Sequence, residues 1–284
     1  MTTFAMVPHR LRKEAADLAS QAARWLEARG HEVRVPEEDA RATGLTKWAW
    51  PAEELTIGLD LMMSMGGDGT MLHAVQLVCG ADVPVLGVHV GHLGYLTTVE
   101  PAALTDALER YLAGTYQIER RMMLDVLLTC GGEEVAKVTA LNEAVIEKTA
   151  SGHTVHLGVA INDRPFTTAA ADGMIVATPT GSTAYNFSAR GPIVSPRHRA
   201  LVVTPVSPHM LFDRPLVLDP DETVELEVLE GRPAVLVVDG REIAALAPGD
   251  CVRCKSSSHD ALLVTFDGRD FHQILKAKFH LADR

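Results

Sequence analysis

Apolar residues along this chain follow two rhythms. Up to about residue 115, compact apolar runs alternate with stretches whose apolar positions recur every three or four residues. Phe4 to Val7 and His31 to Val35 flank a stretch in which Leu11, Ala15, Leu18, Ala22, Trp25 and Leu26 repeat at helical spacing up to Gly30. That pattern predicts strand, helix, strand, with Pro8 closing the first strand and Gly30 capping the helix. The runs Leu59 to Met65 and Val83 to Val88 predict buried strands, and Met71 to Val78 and Leu104 to Leu112 predict helices. Strands alternating with helices imply a parallel sheet, an open Rossmann-like α/β domain. The polar span from Pro36 to about Glu54 reads as a connection whose structure the pattern leaves open, and its Trp48 and Trp50 read as packing residues.

From about Tyr116 the period becomes two. Leu124, Val126, Leu128 and Cys130 alternate with residues of the other face, Gly131-Gly132 marks a hairpin, and Val155 to Ile161 ends in Asn162-Asp163. Thr223 to Leu229 and Ala234 to Val238 are further short strands. This half is expected to be predominantly β and sandwich-like. The division expected is residues 1–115 for the α/β domain, 116–261 for the β-rich domain, and 262–284 as a segment returning to the first.

A chain of 284 residues is long enough for two cores. Its formal charge of −11, from 37 acidic and 26 basic residues, argues against a general nucleic-acid or anionic-membrane binder. A phosphate-bearing ligand would therefore need local dipoles, a metal and a few basic groups. No apolar run is long enough for a membrane span, and Met1-Thr2-Thr3-Phe4 lacks the regions of a signal peptide, so a cytoplasmic location is expected. Of Cys79, Cys130, Cys251 and Cys254, the last two form a lone C-x-x-C, and reduced thiols are the expectation.

Gly66-Gly67-Asp68-Gly69-Thr70 falls where a strand meets a helix. Glycines there let the backbone and the positive helix end approach phosphate oxygens. Asp68 would repel phosphate unless a metal screens it or it accepts a proton from a hydroxyl about to be phosphorylated. A tight turn with a capping Asp or Thr would have the same letters. Thr178 to Tyr185 holds five hydroxyls in eight residues, groups that suit a ribose, an adenine edge or a phosphate, or a plain surface loop. The amide and carboxylate of Leu141-Asn142-Glu143 could grip a sugar diol or simply form a solvated strand end. His89 and His92 follow a strand end, where hydrogen bonding is a better expectation than a metal pair, and no metal-ligating set is expected.

GGDGT from Gly66, GVHVGHLGY from Gly87 to Tyr95, LNE at Leu141, Asp172-Gly173, and TPTGSTAY from Thr178, in this order and spacing, resemble the NAD kinase family. Gly191 to Val194 and Thr204 to Pro215 are also similar, so the resemblance runs from about residue 57 to 280 and more weakly before it. GGDGT is shared with lipid kinases and phosphofructokinases, whereas TPTGSTAY preceded by LNE is discriminating.

The resemblance implies transfer of a phosphoryl group from ATP or polyphosphate to the adenosine-ribose 2′-hydroxyl of NAD, with magnesium held mainly by the phosphates. It implies a base at Asp68 and backbone contacts from Gly66, Gly67, Gly69 and Thr70. Tyr95 would lie against adenine, and Asn142 and Glu143 would grip the nucleotide within a loop of Thr180, Thr183, Ala184, Tyr185, Asn186, Phe187 and Ser188. Asp172 would reach a dinucleotide bound by a neighbouring subunit of a homodimer or homotetramer, and His73, His153 and Arg241 would contact nucleotide as in some members. Two positions depart from the family's usual residues: Arg190 replaces a common glycine, and Ala170 replaces an arginine of some members, which raises NADH as a second acceptor. The competing readings are a lipid kinase sharing the glycine-rich turn, which would want an acyl-chain cleft, and an idle NAD(H) sensor, which would lack the base.

Overall fold

In the computed structural model, which describes residues 1–91, 94–150, 153–211, 213–229, 233–266 and 271–281, the first apolar run becomes strand β1 (Thr3–Pro8), buried throughout. Helix α1 (Lys13–Glu27) buries Ala15, Ala19, Ala22, Ala23 and Leu26; of the expected stripe Ala15, Ala22 and Leu26 are buried, Leu18 and Trp25 are partly exposed, and Leu11 lies before the helix and is exposed. There follow β2 (Glu32–Pro36), α2 (Glu37–Thr43), β3 (Ala49–Trp50), β4 (Leu61–Gly66), α3 (Asp68–Leu77), β5 (Val85–His89) and α4 (Leu104–Leu112). The strands lie in the order β3-β2-β1-β4-β5 and all are parallel. Because β1 and β4 are buried along their whole length, both read as continuous apolar runs. From β1 the chain goes to β2 on one side, and β4 lies on the other. The strand order therefore reverses between β1 and β4, and an open α/β sheet binds ligands at the carboxyl ends of such a pair.

The span from Pro36 to Glu54 holds more structure than its sequence predicts. It contains α2, β3 and single 3-10 turns at Thr46–Trp48 and Ala52–Glu54. Its anchor is polar: Arg34, 7% exposed, donates from Nη1 to the carbonyls of Leu55 (3.0 Å) and Ile57 (2.7 Å) and from Nε to Glu32 (2.7 Å). The same guanidinium lies 4.6 Å from the Trp50 ring centroid, and Trp48 donates from Nε1 to Glu27 at 2.9 Å. Apolar periodicity cannot reveal a segment held this way.

The remaining elements are β6 (Gln117–Cys130), β7 (Glu133–Ala140), β8 (Glu143–Lys148), β9 (Val155–Ile161), β10 (Arg164–Ala171), β11 (Gly173–Ala177), α5 (Tyr185–Ser188), β12 (Leu201–Val206), β13 (Leu216–Leu218), β14 (Thr223–Val228), β15 (Ala234–Val238), β16 (Arg241–Leu246), β17 (Cys251–Thr265) and α6 (Phe271–Phe279). One antiparallel sheet runs β13-β12-β11-β8-β15-β16, and β10-β9-β14-β17 belong to another with β6 and β7. Leu124, Leu157, Val224 and Leu226 share one core with Ile146, Val176, Leu201 and Leu236, so the inward faces of the two sheets pack as a sandwich. Both expected turns are hairpins with positive φ, at Gly131-Gly132 (58° and 87°) and Asn162-Asp163 (52° and 60°). The fold is thus an α/β part followed by a mostly β part. Two compact units result, Met1–Arg120 with the stretch from Ala261, and Arg121–Asp260. Leu263 pairs with Val85 in parallel within the first. In β17, an offset of three places Cys251 and Cys254 on opposite faces, and burial pushes both thiols up to about 12.

Replacing Arg34 with Met leaves three backbone carbonyls without their donor. We expect a loss of roughly 2–4 kcal/mol in denaturant unfolding, with faster protease cleavage between residues 54 and 58. Unchanged stability and cleavage would show that the guanidinium does not hold this segment.

Candidate functional site

In the first unit, β4 ends at Gly66 and α3 begins at Asp68, three residues earlier than apolar spacing predicts, with Gly67 as its N-cap. A Cβ at Gly66 would lie 2.2 Å from Thr70 Oγ1, so a glycine is needed for the turn to close on its own helix. Asp68 accepts the amide of Tyr95 on Oδ2 (2.9 Å) and that of Leu96 on Oδ1 (3.0 Å). Gly94 lets that loop pass close by, since its Cβ would lie 1.9 Å from Asp68 Oδ1. Two of about four acceptor positions on the carboxylate are filled in this way. The others can take a proton from a hydroxyl, beside the positive end of a ten-residue helix. Gly69 is exposed and Thr70 buried.

Tyr95 is partly exposed, and Lys278 of α6 lies 4.5 Å from its ring centroid. Burial first, then the charge of Asp68, raises its phenol. His73 lies further along α3 and approaches Asp39 Oδ2 with Nε2 at 3.2 Å, and Arg10 donates from Nε to Asp39 Oδ1 at 2.7 Å. Sequence reasoning missed Asp39 and Arg10; the available signal was their place just after β2 and β1, at the carboxyl edge. His89 corrects an expectation: both of its ring nitrogens are buried without a hydrogen-bond partner. His92 lies outside the described residues.

In the second unit, Leu141-Asn142-Glu143 leads into β8 and is held from two sides. Asp239 accepts the amides of Leu141 (2.7 Å), Asn142 (2.8 Å) and Glu143 (3.2 Å). Thr178 donates its hydroxyl to Leu141 O at 2.6 Å and its amide to Asn142 O at 2.8 Å. Asp239 was also missed, although its Asp-Gly turn between β15 and β16 was a legible hairpin signal. Glu143 is 6% exposed with Oε2 unpartnered. Burial, then the charge of Asp239, pushes its carboxyl up to about 8, against a stabilising amide from Tyr185.

The stretch from Ala171 to Tyr185 is not loop throughout. Gly173–Ala177 is a strand buried on both faces, covered on its outer side by Ala189 and Val194. Several hydroxyl and amide groups after it serve the protein itself. Thr178 and Ser182 are fully buried, and Ser182 exchanges hydrogen bonds with the backbone of Val194 at 3.0 and 3.1 Å. Asn186, expected at the ligand, is corrected: it is fully buried, donating to Ser182 O and Pro192 O (both 3.1 Å) and accepting from Thr204 (2.6 Å). Its side chain pins the loop. Thr183 donates to Thr180 O (3.3 Å), and Thr180 accepts from Arg121 (3.5 Å). Ala184 is partly exposed, and Tyr185, Phe187 and Ser188 are exposed.

Asp172 accepts from Lys148 at 2.6 Å, and the negative charges of Glu147, Asp172 and Glu143 all act on the Tyr185 phenol. These groups therefore share one neighbourhood. His153 lines a cavity of about 230 Å³ with Lys148, Thr149, Ala150, Thr154 and Pro233. Arg241 is exposed at the start of β16, and its charge opposes the burial that raises Asp239. Arg190 has φ of 65°, a left-handed conformation. That accounts for a glycine being usual there.

Residues 4–116 match the model of the ATP-NAD kinase N-terminal domain, and residues 141–266 that of the ATP-NAD kinase C-terminal domain. An NAD kinase of Heliobacterium modesticaldum is 40% identical over 286 residues, covering 98% of each chain. That of Syntrophotalea carbinolica is 36% identical over 272 residues, covering 95% of each. Among solved structures, yeast NADH kinase complexed with NADH superposes with a TM-score of 0.90 at 22% identity, covering all of this chain and 89% of its own. An NAD kinase from Archaeoglobus fulgidus in complex with ATP gives 0.75 at 23% identity, covering all of both chains. At such identities the two structures establish the fold.

A carboxyl raised in the folded state stabilises fully below its unfolded value and loses that contribution as pH rises through the folded one. For Glu143 the window runs from 4.5 to about 8. Glu143→Gln should therefore melt progressively higher than the native protein between those values, and a constant difference in melting temperature across them would refute the assignment. Arg190→Gly should add roughly 1 kcal/mol by relieving the left-handed backbone; chemical denaturation reads it, and a loss of stability would mean that the arginine side chain makes a compensating contact.

Proposed function

The chain belongs to the ATP-NAD kinase family, and from that premise we propose that it transfers the terminal phosphoryl group of ATP to the adenosine-ribose 2′-hydroxyl of NAD, yielding NADP and ADP. The observation that supports this most is the state of Asp68: a carboxylate clamped by two backbone amides at the start of α3, with acceptor capacity left over. A sugar hydroxyl is a weak nucleophile at neutral pH. Asp68 accepts its proton as the ribose oxygen bonds to phosphorus and the bond to the ADP oxygen breaks.

The other roles follow from chemistry. Gly67 and Gly69 flank Asp68 where backbone amides and the helix start favour phosphate oxygens. Tyr95 offers a ring for adenine, and its stacking partner Lys278 would have to yield that face. Glu143, with Oε2 unpartnered, and Asn142 hold sugar or base donors, while Thr180, Thr183, Ala184, Tyr185, Phe187 and Ser188 line the same loop. His153 and Arg241 would add further contacts, and Asp172 would serve a dinucleotide carried by a neighbouring subunit of a homodimer or homotetramer.

Magnesium neutralises phosphoryl oxygens when bound. The described residues hold no group of three or more His, Cys, Asp or Glu side chains able to cage a metal. In this reading the ion would be carried mainly by the nucleotide phosphates. No helix among the described residues is long and apolar enough to cross a membrane. Work in the cytoplasm, where ATP and NAD are available, belongs to the same reading.

Asp68→Asn should lower kcat by roughly 10²–10⁴-fold, with NAD still bound and the melting temperature near native. NADP formation from NAD, ATP and magnesium measures it. A variant as fast as the native enzyme removes Asp68 as the base, and a native protein making no NADP from ATP or polyphosphate removes the kinase reading. The same assay with NADH tests whether Ala170 leaves the ring charge unread; no NADH phosphorylation would reject it.

A further inference from the structure

Asp39 is 1% exposed, among the most deeply buried charged groups of the first unit. Burying a carboxylate costs several kcal/mol unless its oxygens are met by charged or polar donors. Here both are met: Oδ1 by Arg10 Nε at 2.7 Å and Oδ2 by His73 Nε2 at 3.2 Å. Burial alone would raise this carboxyl, yet the bonds from His73 and Arg10 outweigh it and hold it below the ordinary range.

The three partners come from three different connections. Arg10 follows β1, Asp39 lies in α2 directly after β2, and His73 is in the second turn of α3 after β4. Since β2, β1 and β4 are adjacent and parallel, these connections all leave the same edge of the sheet, at the β1/β4 reversal. Arg10 spends Nε on Asp39 and one Nη2 bond on Glu38 (3.2 Å), and His73 spends Nε2. Among the described residues, Arg10 Nη1 and His73 Nδ1 are left without a partner, on side chains that are 44% and 35% exposed. In a chain of net charge −11, a buried anion that fixes two basic side chains at the ligand-binding edge is poorly explained as surface solubility.

We propose that Asp39 is a positioning residue, holding Arg10 and His73 so that their remaining nitrogens bind phosphate groups of the nucleotide substrates. This rests on the kinase reading above. Asp39 touches no substrate; it acts through the two basic groups, and Arg10 thereby becomes a phosphate contact.

Steady-state kinetics of Asp39→Ala, Asp39→Asn, Arg10→Ala with His73→Ala, and the triple variant test this, with melting curves as the fold control. Asp39→Ala should raise KM for ATP or NAD about tenfold while kcat changes less than about threefold, and Asp39→Asn, which keeps one acceptor, should recover part of the loss. On the Arg10→Ala, His73→Ala background the third substitution should change KM no further, because its effect passes through those residues. A KM within about twofold of native in folded Asp39→Ala, or an undiminished additional loss in the triple variant, overturns the proposal. Calorimetric titration with inorganic triphosphate separates this from the kinase reading. Native protein should bind it, Asp39→Ala about tenfold more weakly and Asp39→Asn between the two, whether or not NADP is made; equal binding by native protein and Asp39→Ala, or none by native protein, also rejects the subsite. Should Asp39→Ala fail to fold, Asp39→Asn is judged by the same criteria.

Discussion

Two backbone amides, those of Tyr95 and Leu96, fix the carboxylate of Asp68, and much of the first unit can be understood as what brings them there. The loop carrying them has to approach the start of α3 within hydrogen-bonding distance, which no side chain at residue 94 would permit. The turn before α3 has to be tight enough for Gly66 to pack on Thr70. Its parent strand is anchored on each side, by Val90 N to Gly66 O (3.0 Å) and His9 N to Met65 O (2.9 Å). The glycines of this region are thus a steric consequence of one carboxylate being gripped by main chain. In the proposed reaction they are also where phosphate would approach, so one constraint would yield both the proposed base and its anion-binding surroundings.

The second unit uses the same device in a drier place. Asp239 collects three backbone amides and so presents Asn142 and Glu143 in one fixed conformation. The consequence there is electrostatic. Glu143 lies buried beside the aspartate, and its pKa of about 8 means that near neutrality it is largely a neutral acid, able to donate a hydrogen bond as well as accept one. A ribose diol or a base edge can use a group of that kind without the desolvation cost of a full charge. Burial of both acids is tolerable because the amides arrive from the backbone, whose geometry the sheet already sets.

What the sequence revealed follows from which forces leave periodic traces. Parallel strands buried on both faces, the α1 stripe and the alternating sandwich strands are all driven by apolar burial, and each was readable to within a few residues. The segment clipped by Arg34 was not, because its organising contacts are carbonyls and a guanidinium separated by some twenty positions. The hydroxyl-rich stretch was readable as unusual, but hydroxyl count says nothing about direction: Thr178, Ser182 and Asn186 turn inward to brace the loop, leaving Tyr185 and Phe187 at the surface. Asp39 and Asp239 escaped because a buried acid looks like any surface acid until its partners, which are distant in sequence, are known. Arg190 was noticed as a departure from the family pattern, and only its left-handed φ of 65° supplies the reason.

A chain of charge −11 that handles polyphosphates looks contradictory only if net charge is taken to act at the site. Exposed charges separated by more than a Debye length of ~8 Å at physiological ionic strength are largely screened from one another. In the proposed reading the local groups decide the matter: the start of α3, the two glycines around Asp68, and the basic side chains of Arg10 and His73. Placing an acid under those basic groups does not cancel their use. A guanidinium has five N–H donors, and a bond from Nε to Asp39 leaves the outward nitrogens oriented instead of free to sweep. The entropy of ordering a long arginine is then lost on folding, and under the proposal nucleotide binding would be stronger by the part that no longer has to be lost on binding.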